Sequence, residues 1–281
     1  MSTSGSTPRP QPEPPTPHTT TVTTPGPALC RPVFGSWLTS YKRTWMGSIF
    51  GRFLSPLLFL LSMGLGLGGL VNRSAGGVGG VPYLQFVVPG ILAAQAMWVA
   101  VGESTYQVLG AIRWNMRYHA MLATPIGVDD ILLGHLTYVA MQITGATAIS
   151  IGVAALFGSF GSWWVLACLP ITVLTGMAFA VPIFAFSAKQ DSDGGFNILF
   201  RFIVTPLFLF SGTFFPVDQL PAVLRPVAWV TPLWHGVDAN RSLALGSPSA
   251  ASVLGHTAYL LAVIALGLWL ARRTFTKRLV V

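Results

Sequence analysis

The sequence predicts an all-α integral membrane protein: six transmembrane helices, an interfacial amphipathic helix before the first, and short outer re-entrant helices between the fifth and sixth. Three observations lead there. Only 9% of the 281 residues are charged while 52% are hydrophobic. A soluble domain carries about 25% charged residues, so too few are present to cover a globule of this size and the excess apolar surface must face lipid. Apolar stretches close to the ~20 residues that cross a ~30 Å hydrocarbon core recur along the chain, and basic residues gather on alternate connections between them.

Residues 1–30 hold eight prolines and almost nothing apolar. Such a segment cannot bury enough surface to offset its ordering entropy and is predicted to be a disordered cytoplasmic tail. Residues 31–281 form one transmembrane domain. From Phe34 to Phe50, Trp37, Leu38, Tyr41, Trp45 and Ile49 recur at helical spacing with Lys42 and Arg43 between them. That pattern suits an amphipathic helix at the headgroup level, or an extension of the first span.

The six apolar stretches run from about residue 53 to 70, 83 to 108, 136 to 156, 163 to 186, 196 to 215 and 251 to 270. Lipid offers no partner to backbone groups, so each is a helix rather than a strand. Orientation follows from the basic side chains. With a cytoplasmic N-terminus, the inner segments hold Arg9, Arg31, Lys42, Arg43, Arg52, Arg113, Arg117, Lys189, Arg201, Arg272, Arg273, Lys277 and Arg278. The outer segments hold only Arg73, Arg225 and Arg241. Both termini are therefore predicted to be cytoplasmic, in an inner (plasma) membrane protein.

Between the second and third stretches lies a short basic hairpin, within WVAVGESTYQVLGAIRWNMRYHAMLATPIGVDDILLGHL from Trp98 to Leu136. It is too charged for lipid and too short for a domain. A hairpin of this kind on the inner face is where another protein would push. The long outer segment from Gly212 to Ser249 is interrupted by Pro216, Pro221, Pro226 and Pro232 yet keeps an apolar face. It reads as short re-entrant or surface helices.

Several chemistries are excluded. The lysines are Lys42, Lys189 and Lys277, and none sits in a Gly-rich phosphate loop, so the chain does not hydrolyse ATP. The five histidines, at 18, 119, 135, 235 and 256, lack ligand spacing. Cys30 and Cys168 are far apart, and Cys168 lies in an apolar stretch, which argues against a disulfide. The net charge of +8 comes from scattered residues without interleaved aromatics, so no nucleic-acid partner is implied. Glu103, in the inner part of the second span, is the candidate intramembrane charge. It would serve an ion-coupled carrier, or it faces the bundle or interfacial water. Gly64 and Gly68, in the GLGLGG run ending the first span, allow close helix approach. Membrane lipids are the remaining expected partner.

Taken together, Glu103-Ser104-Thr105-Tyr106, Met121-Leu122-Ala123-Thr124-Pro125, Asp130-Ile131 with Gly134, LLSMGLGLGGLV, FSGTFFPVDQLP and TPLWHGVDANRSL resemble the ABC-2 type transport permeases. In particular they look like the branch that includes nodulation-factor (lipo-chitooligosaccharide) export permeases, with daunorubicin-resistance-type permeases as further relatives. The resemblance covers about residues 34–278. His135 stands after Gly134 where that pattern has a carboxylate. The resemblance implies two permease copies, identical or paralogous, working with two copies of a separate ATPase that carries the ATP and magnesium; this chain binds no cofactor. It also implies that Arg113, Trp114, Arg117, Tyr118, Met121, Leu122, Thr124, Pro125 and Asp129 dock on that ATPase. The translocation path would involve Glu103, Gly64 and Gly68, and the cargo would be hydrophobic, lipid-linked or drug-like.

Overall fold

The computed structural model describes residues 27–280 apart from Thr44, Gly79, Gly161 and Ser247. The predicted tail therefore falls largely outside the described residues. From Pro27 onward the chain is helical almost throughout, and among the described residues the extended pairing is confined to a bridge between Val78 and Val81.

Helix α1 spans Pro27–Tyr41. After a turn at Lys42 and Arg43, α2 covers residues 45–75 in three continuous pieces: Trp45–Leu61, a widened turn at Ser62–Leu67, and Gly68–Ala75. The interfacial helix is thus shorter than its apolar spacing implies, and Trp45 and Ile49 belong to the first long helix instead. A 3.6-residue rhythm carries across a polar turn that contains neither glycine nor proline, so the sequence gives no sign of the break.

Helix α3, Tyr83–Trp114, bends at Thr105, whose hydroxyl donates back to the Val101 carbonyl at 2.9 Å. It then widens again over Gly110–Trp114. Helix α4 is the short Arg117–Leu122, and α5 runs Val128–Leu156. Apolarity alone starts α5 near residue 136, but the helix begins eight residues earlier. The Asp130 carboxylate accepts the Gly127 N–H at 3.0 Å and satisfies an orphan donor of the first turn. Helix α6 is Val165–Ser187 and α7 is Gly194–Phe210.

Beyond α7 come a 3-10 turn at Val217–Gln219, α8 at Arg225–Trp229 and α9 at Pro232–Ala244. The chain ends in α10, Ala250–Leu279, whose last turn carries Lys277 and Arg278 where the helix dipole favours cations. Among the described residues, α3, α5, α6 and α10 are each long and apolar enough to cross a membrane, while α7 is a shorter apolar helix.

Helix α6 is the hub, packing against α3, α5, α9 and α10. Such proximity needs small residues. A Cβ on Gly176 would lie 2.7 Å from the Ile143 Cδ1 and 3.1 Å from the Ala96 carbonyl, so glycine is what lets three helices meet there. Helices α1 and α2 both lie along α5. On α7, Ile198, Phe202 and Ile203 are exposed, while Phe200 and Phe208 meet Trp98 of α3.

Candidate functional site

The hairpin divides into an exposed lip and a locked base. Arg113, Trp114, Asn115, Met116, Ala120, Ala123, Thr124 and Pro125 are exposed, with Trp114 61% accessible. Nothing in the apolar interior accounts for a tryptophan held at this exposure next to a charged residue; such exposed apolar surface marks an interaction site. Met121 and Leu122 are half-buried and pack their other face on the main core.

The base is a chain of contacts through α1, α4, α5 and α10. The Arg117 guanidinium lies 3.9 Å from the Trp37 ring centroid and donates to the Ser36 hydroxyl at 3.1 Å. Burial holds this guanidinium below the usual arginine range. Trp37 stacks on the His135 ring at 3.9 Å and 13°. The Tyr118 hydroxyl and His135 Nδ1 share a 2.6 Å hydrogen bond with both side chains fully buried. Burial pushes the Tyr118 phenol well above the usual range, so it stays neutral.

Phe184 of α6 and Phe275 of α10 complete the cluster, Phe184 edge-on to His135 at 4.9 Å and stacked on Phe275 at 6.0 Å. Next to this knot Asp129 pairs with the more exposed Arg272 of α10 at 2.7 Å. Helix α1 reaches α5 because residue 134 is glycine: a Cβ there would lie 2.6 Å from the Val33 Cβ and 3.0 Å from the Cys30 carbonyl. Cys30 also points its thiol at Asp130, 3.7 Å away.

The structure brings the nine hairpin residues named from the sequence into one segment but gives them different work. Arg113, Trp114, Thr124 and Pro125 are available to a partner. Tyr118 is wholly internal, and Arg117 and Asp129 are spent on α1 and α10. Trp37, His135, Phe184 and Phe275 join the site through space. Trp37 had a sequence signal as an aromatic on an amphipathic helix and His135 one as a departure from the family pattern; Phe184 and Phe275 had none.

The other candidates lie elsewhere. Glu103 is half-buried near the bend of α3, two residues before Thr105. Gly64 lies in the widened turn of α2. Gly68 is buried at its end: its N–H bonds the Met63 carbonyl, and a Cβ would come within 2.9 Å of that oxygen and 3.8 Å of the Tyr83 ring. Its smallness therefore serves the helix's own irregular turn first and contact with α3 second. At the far end of α3, Arg241 of α9 lies 3.9 Å over the Phe86 ring, donates to the Phe86 carbonyl at 3.3 Å and to the Gly212 carbonyl at 2.8 Å. One guanidinium thus ties α9 to α3 and to the exit of α7.

The chain matches the model of the family described as "ABC-2 type transporter" over residues 34–245. It is 34% identical to "Nodulation protein J" of Rhizobium leguminosarum bv. trifolii over 241 residues, covering 85% of this chain and 90% of that protein. It is 34% identical to the protein of the same name from Rhizobium meliloti (strain 1021), covering 74% and 78%. At 21% identity it is similar to "Inner membrane transport permease YadH" of Escherichia coli (strain K12), covering 73% and 78%.

Proposed function

Because this chain belongs to the ABC-2 type transporter family, a family of non-catalytic membrane permeases that work with an ABC ATPase, we propose that it is the membrane subunit of an exporter driven by a separate ATPase. In this reading the described helices supply six crossings. These are α2, α3, α5, α6, α7 and α10, with α1 at the inner interface and α8 and α9 on the outer side. ATP and magnesium are held by the partner, two permease copies line the path, and both termini are cytoplasmic. The cargo is a hydrophobic, lipid-linked or drug-like molecule, as the resemblance to the export permeases implies.

The observation that carries the reading is the hairpin's split character. A partner pressing on Arg113, Trp114, Thr124 and Pro125 meets a segment whose base is fixed to α1 through Arg117, to α5 through Tyr118 and to α10 through Asp129. Such a segment cannot yield locally; displacement passes to the helices. A path between the permease copies then opens outward as the ATPase dimer closes.

Testing it requires variants that spare the base. Arg113→Glu with Trp114→Ala should leave the thermal stability of the lipid-embedded protein unchanged within about half a kcal/mol, as expected of exposed positions. Co-purification of the ATPase should fall at least tenfold. Undiminished ATPase recovery with that double variant would overturn the docking surface. Export that continues without any ATPase and fails in Glu103→Gln would replace the reading with an ion-coupled carrier.

A further inference from the structure

At the other end of α10 from Arg272, about sixteen residues or ~24 Å of helix away, two histidines face each other. His235 lies in the first turn of α9 and His256 in the second turn of α10, and their Nδ1 atoms are 2.8 Å apart. His256 Nε2 lies 3.1 Å from the Asp238 carboxylate and 3.2 Å from the Ser252 hydroxyl. Tyr259 stacks on the His235 ring at 3.8 Å and donates its hydroxyl to the Val230 carbonyl. Trp234 sets its edge against both imidazoles, at 4.9 and 5.3 Å.

Two nitrogens at 2.8 Å attract only if one carries a hydrogen and the other a lone pair. Asp238 fixes which. A carboxylate accepts, so His256 holds its hydrogen on Nε2, leaving a bare Nδ1; His235 must then donate Nδ1–H to it. A neutral pair therefore forms the relay His235 to His256 to Asp238. One added proton on the pair is tolerated, because one ring still presents a lone pair to the N–H of the other. A second cannot be, because two N–H groups would then oppose each other. Nor do the two facing nitrogens suit a cation held between them: at bond lengths near 2.05 Å, tetrahedral ligand nitrogens stand about 3.3 Å apart, wider than the 2.8 Å seen.

We propose that His235, His256 and Asp238 form a proton-binding site that latches α9 to the head of α10 and releases it when both imidazoles become charged. The surrounding groups support a release confined to acid. Burial, and then the neighbouring His256, hold His235 below the usual histidine range, at about 4. The hydrogen bond from His256 holds the Asp238 carboxyl below its usual range. Arg241 on α9 adds positive charge near Asp238, and Tyr259 is the titratable neighbour on α10. Helix α6, packed on both, brings Cys168 against the Asn240 carbonyl at 3.5 Å.

The latch controls more than itself. Helix α9 also bonds α6 through Asn240 and Thr172 at 2.8 Å and holds α3 and α7 through Arg241. Freeing its first turn from α10 loosens the end of the bundle opposite the hairpin. That this end faces outside, so that external acid eases cargo release, rests on the proposed exporter topology; the latch itself does not.

Spin labels on Val230→Cys and Leu254→Cys, both exposed positions, would read the joint in lipid nanodiscs, with Cys30→Ser and Cys168→Ala removing the native thiols. The distance distribution should be narrow at pH 7.5 and broaden reversibly as the pH falls through about 4. With His256→Gln, or separately with His235→Gln, no acid step should remain, since the facing pair can no longer be doubly charged. An unchanged distribution in the otherwise native protein, or an identical acid step in both glutamine variants, would overturn the latch. The measurement needs no ATPase: if the latch fails, recovery of the ATPase on the hairpin still stands, and if that recovery fails, the acid step still stands.

Discussion

Arg117 lays its guanidinium 3.9 Å from the centre of the Trp37 ring, across a sequence separation that joins the first described helix to the hairpin between α3 and α5. Trp37 in turn covers His135, and His135 is hydrogen-bonded to Tyr118, the residue next to Arg117. The contact closes a ring of interactions through α1, α4 and α5. A stacked guanidinium half out of water contributes about 1–2 kcal/mol. Lysine cannot reproduce the planar stack together with the Ser36 bond. Arg117→Lys should therefore lower stability by about 1–2 kcal/mol, and Trp37→Ala by about 3–5 kcal/mol, in thermal unfolding of the nanodisc-embedded protein. A loss under half a kcal/mol for both would show that α1 is not held by this ring.

Gly134 is where α1 touches α5. A methyl there would collide with Val33, a core residue with no exposure. Overpacking a close-fitted contact costs about 1–3 kcal/mol, so Gly134→Ala should destabilise by that much. Adding Val33→Ala takes away Cγ1 but leaves the Val33 Cβ and the Cys30 carbonyl in the way, so the double variant should recover little of the loss. A double variant restored to native stability would place the crowding elsewhere.

Asp129 and Arg272 join the hairpin base to the last helix at 2.7 Å, with the arginine largely in solvent. Exposed pairs contribute about 0.2–1 kcal/mol. Asp129→Arg and Arg272→Asp should each weaken ATPase-driven transport more than they weaken folding, because like charges would push the hairpin from α10. Combining them restores an opposite pair, so transport should return. Absence of recovery in the swapped protein would remove this pair from the route of force.

Arg278 donates to Asp191, drawing the turn between α6 and α7 to the end of α10 at 2.5 Å. The hydrogen bond, and then the charge, of Arg278 hold the Asp191 carboxyl below its usual range. A depressed carboxylate favours the fold above its unfolded value of about 3.9 and loses that contribution as pH falls through the folded value. With Arg278→Gln, the Asp191 titration followed by carboxyl-carbon NMR should move up. A titration that does not move would mean that the pair is not formed in the membrane.

Much of the architecture is legible in the chain. The apolar lengths locate the long helices. The Pro-broken outer segment reads as short helices rather than one, and short helices form there. Boundaries are less legible where polar residues are held inside a helix by local bonds: α5 begins at Val128 because Asp130 caps Gly127. The turn after Tyr41 is hidden for the opposite reason, since Lys42 and Arg43 fit a helix as well as a bend. In the hairpin, residue type cannot separate lip from base. Tyr118 and Trp114 are both aromatics in one basic segment, yet one is fully buried and the other mostly exposed.

Composition by itself determined that this protein lives in lipid and carries no engine of its own, because the shortage of charge and the missing phosphate loop are properties of the residues alone. Only the tertiary structure decided which residues act together. His235 meets His256, and Arg117 meets Trp37, because helices far apart in sequence pack side by side. Spacing along a chain reports neighbours within one helix; neighbours between helices depend on the close approaches that a few glycines permit, and no periodicity records those.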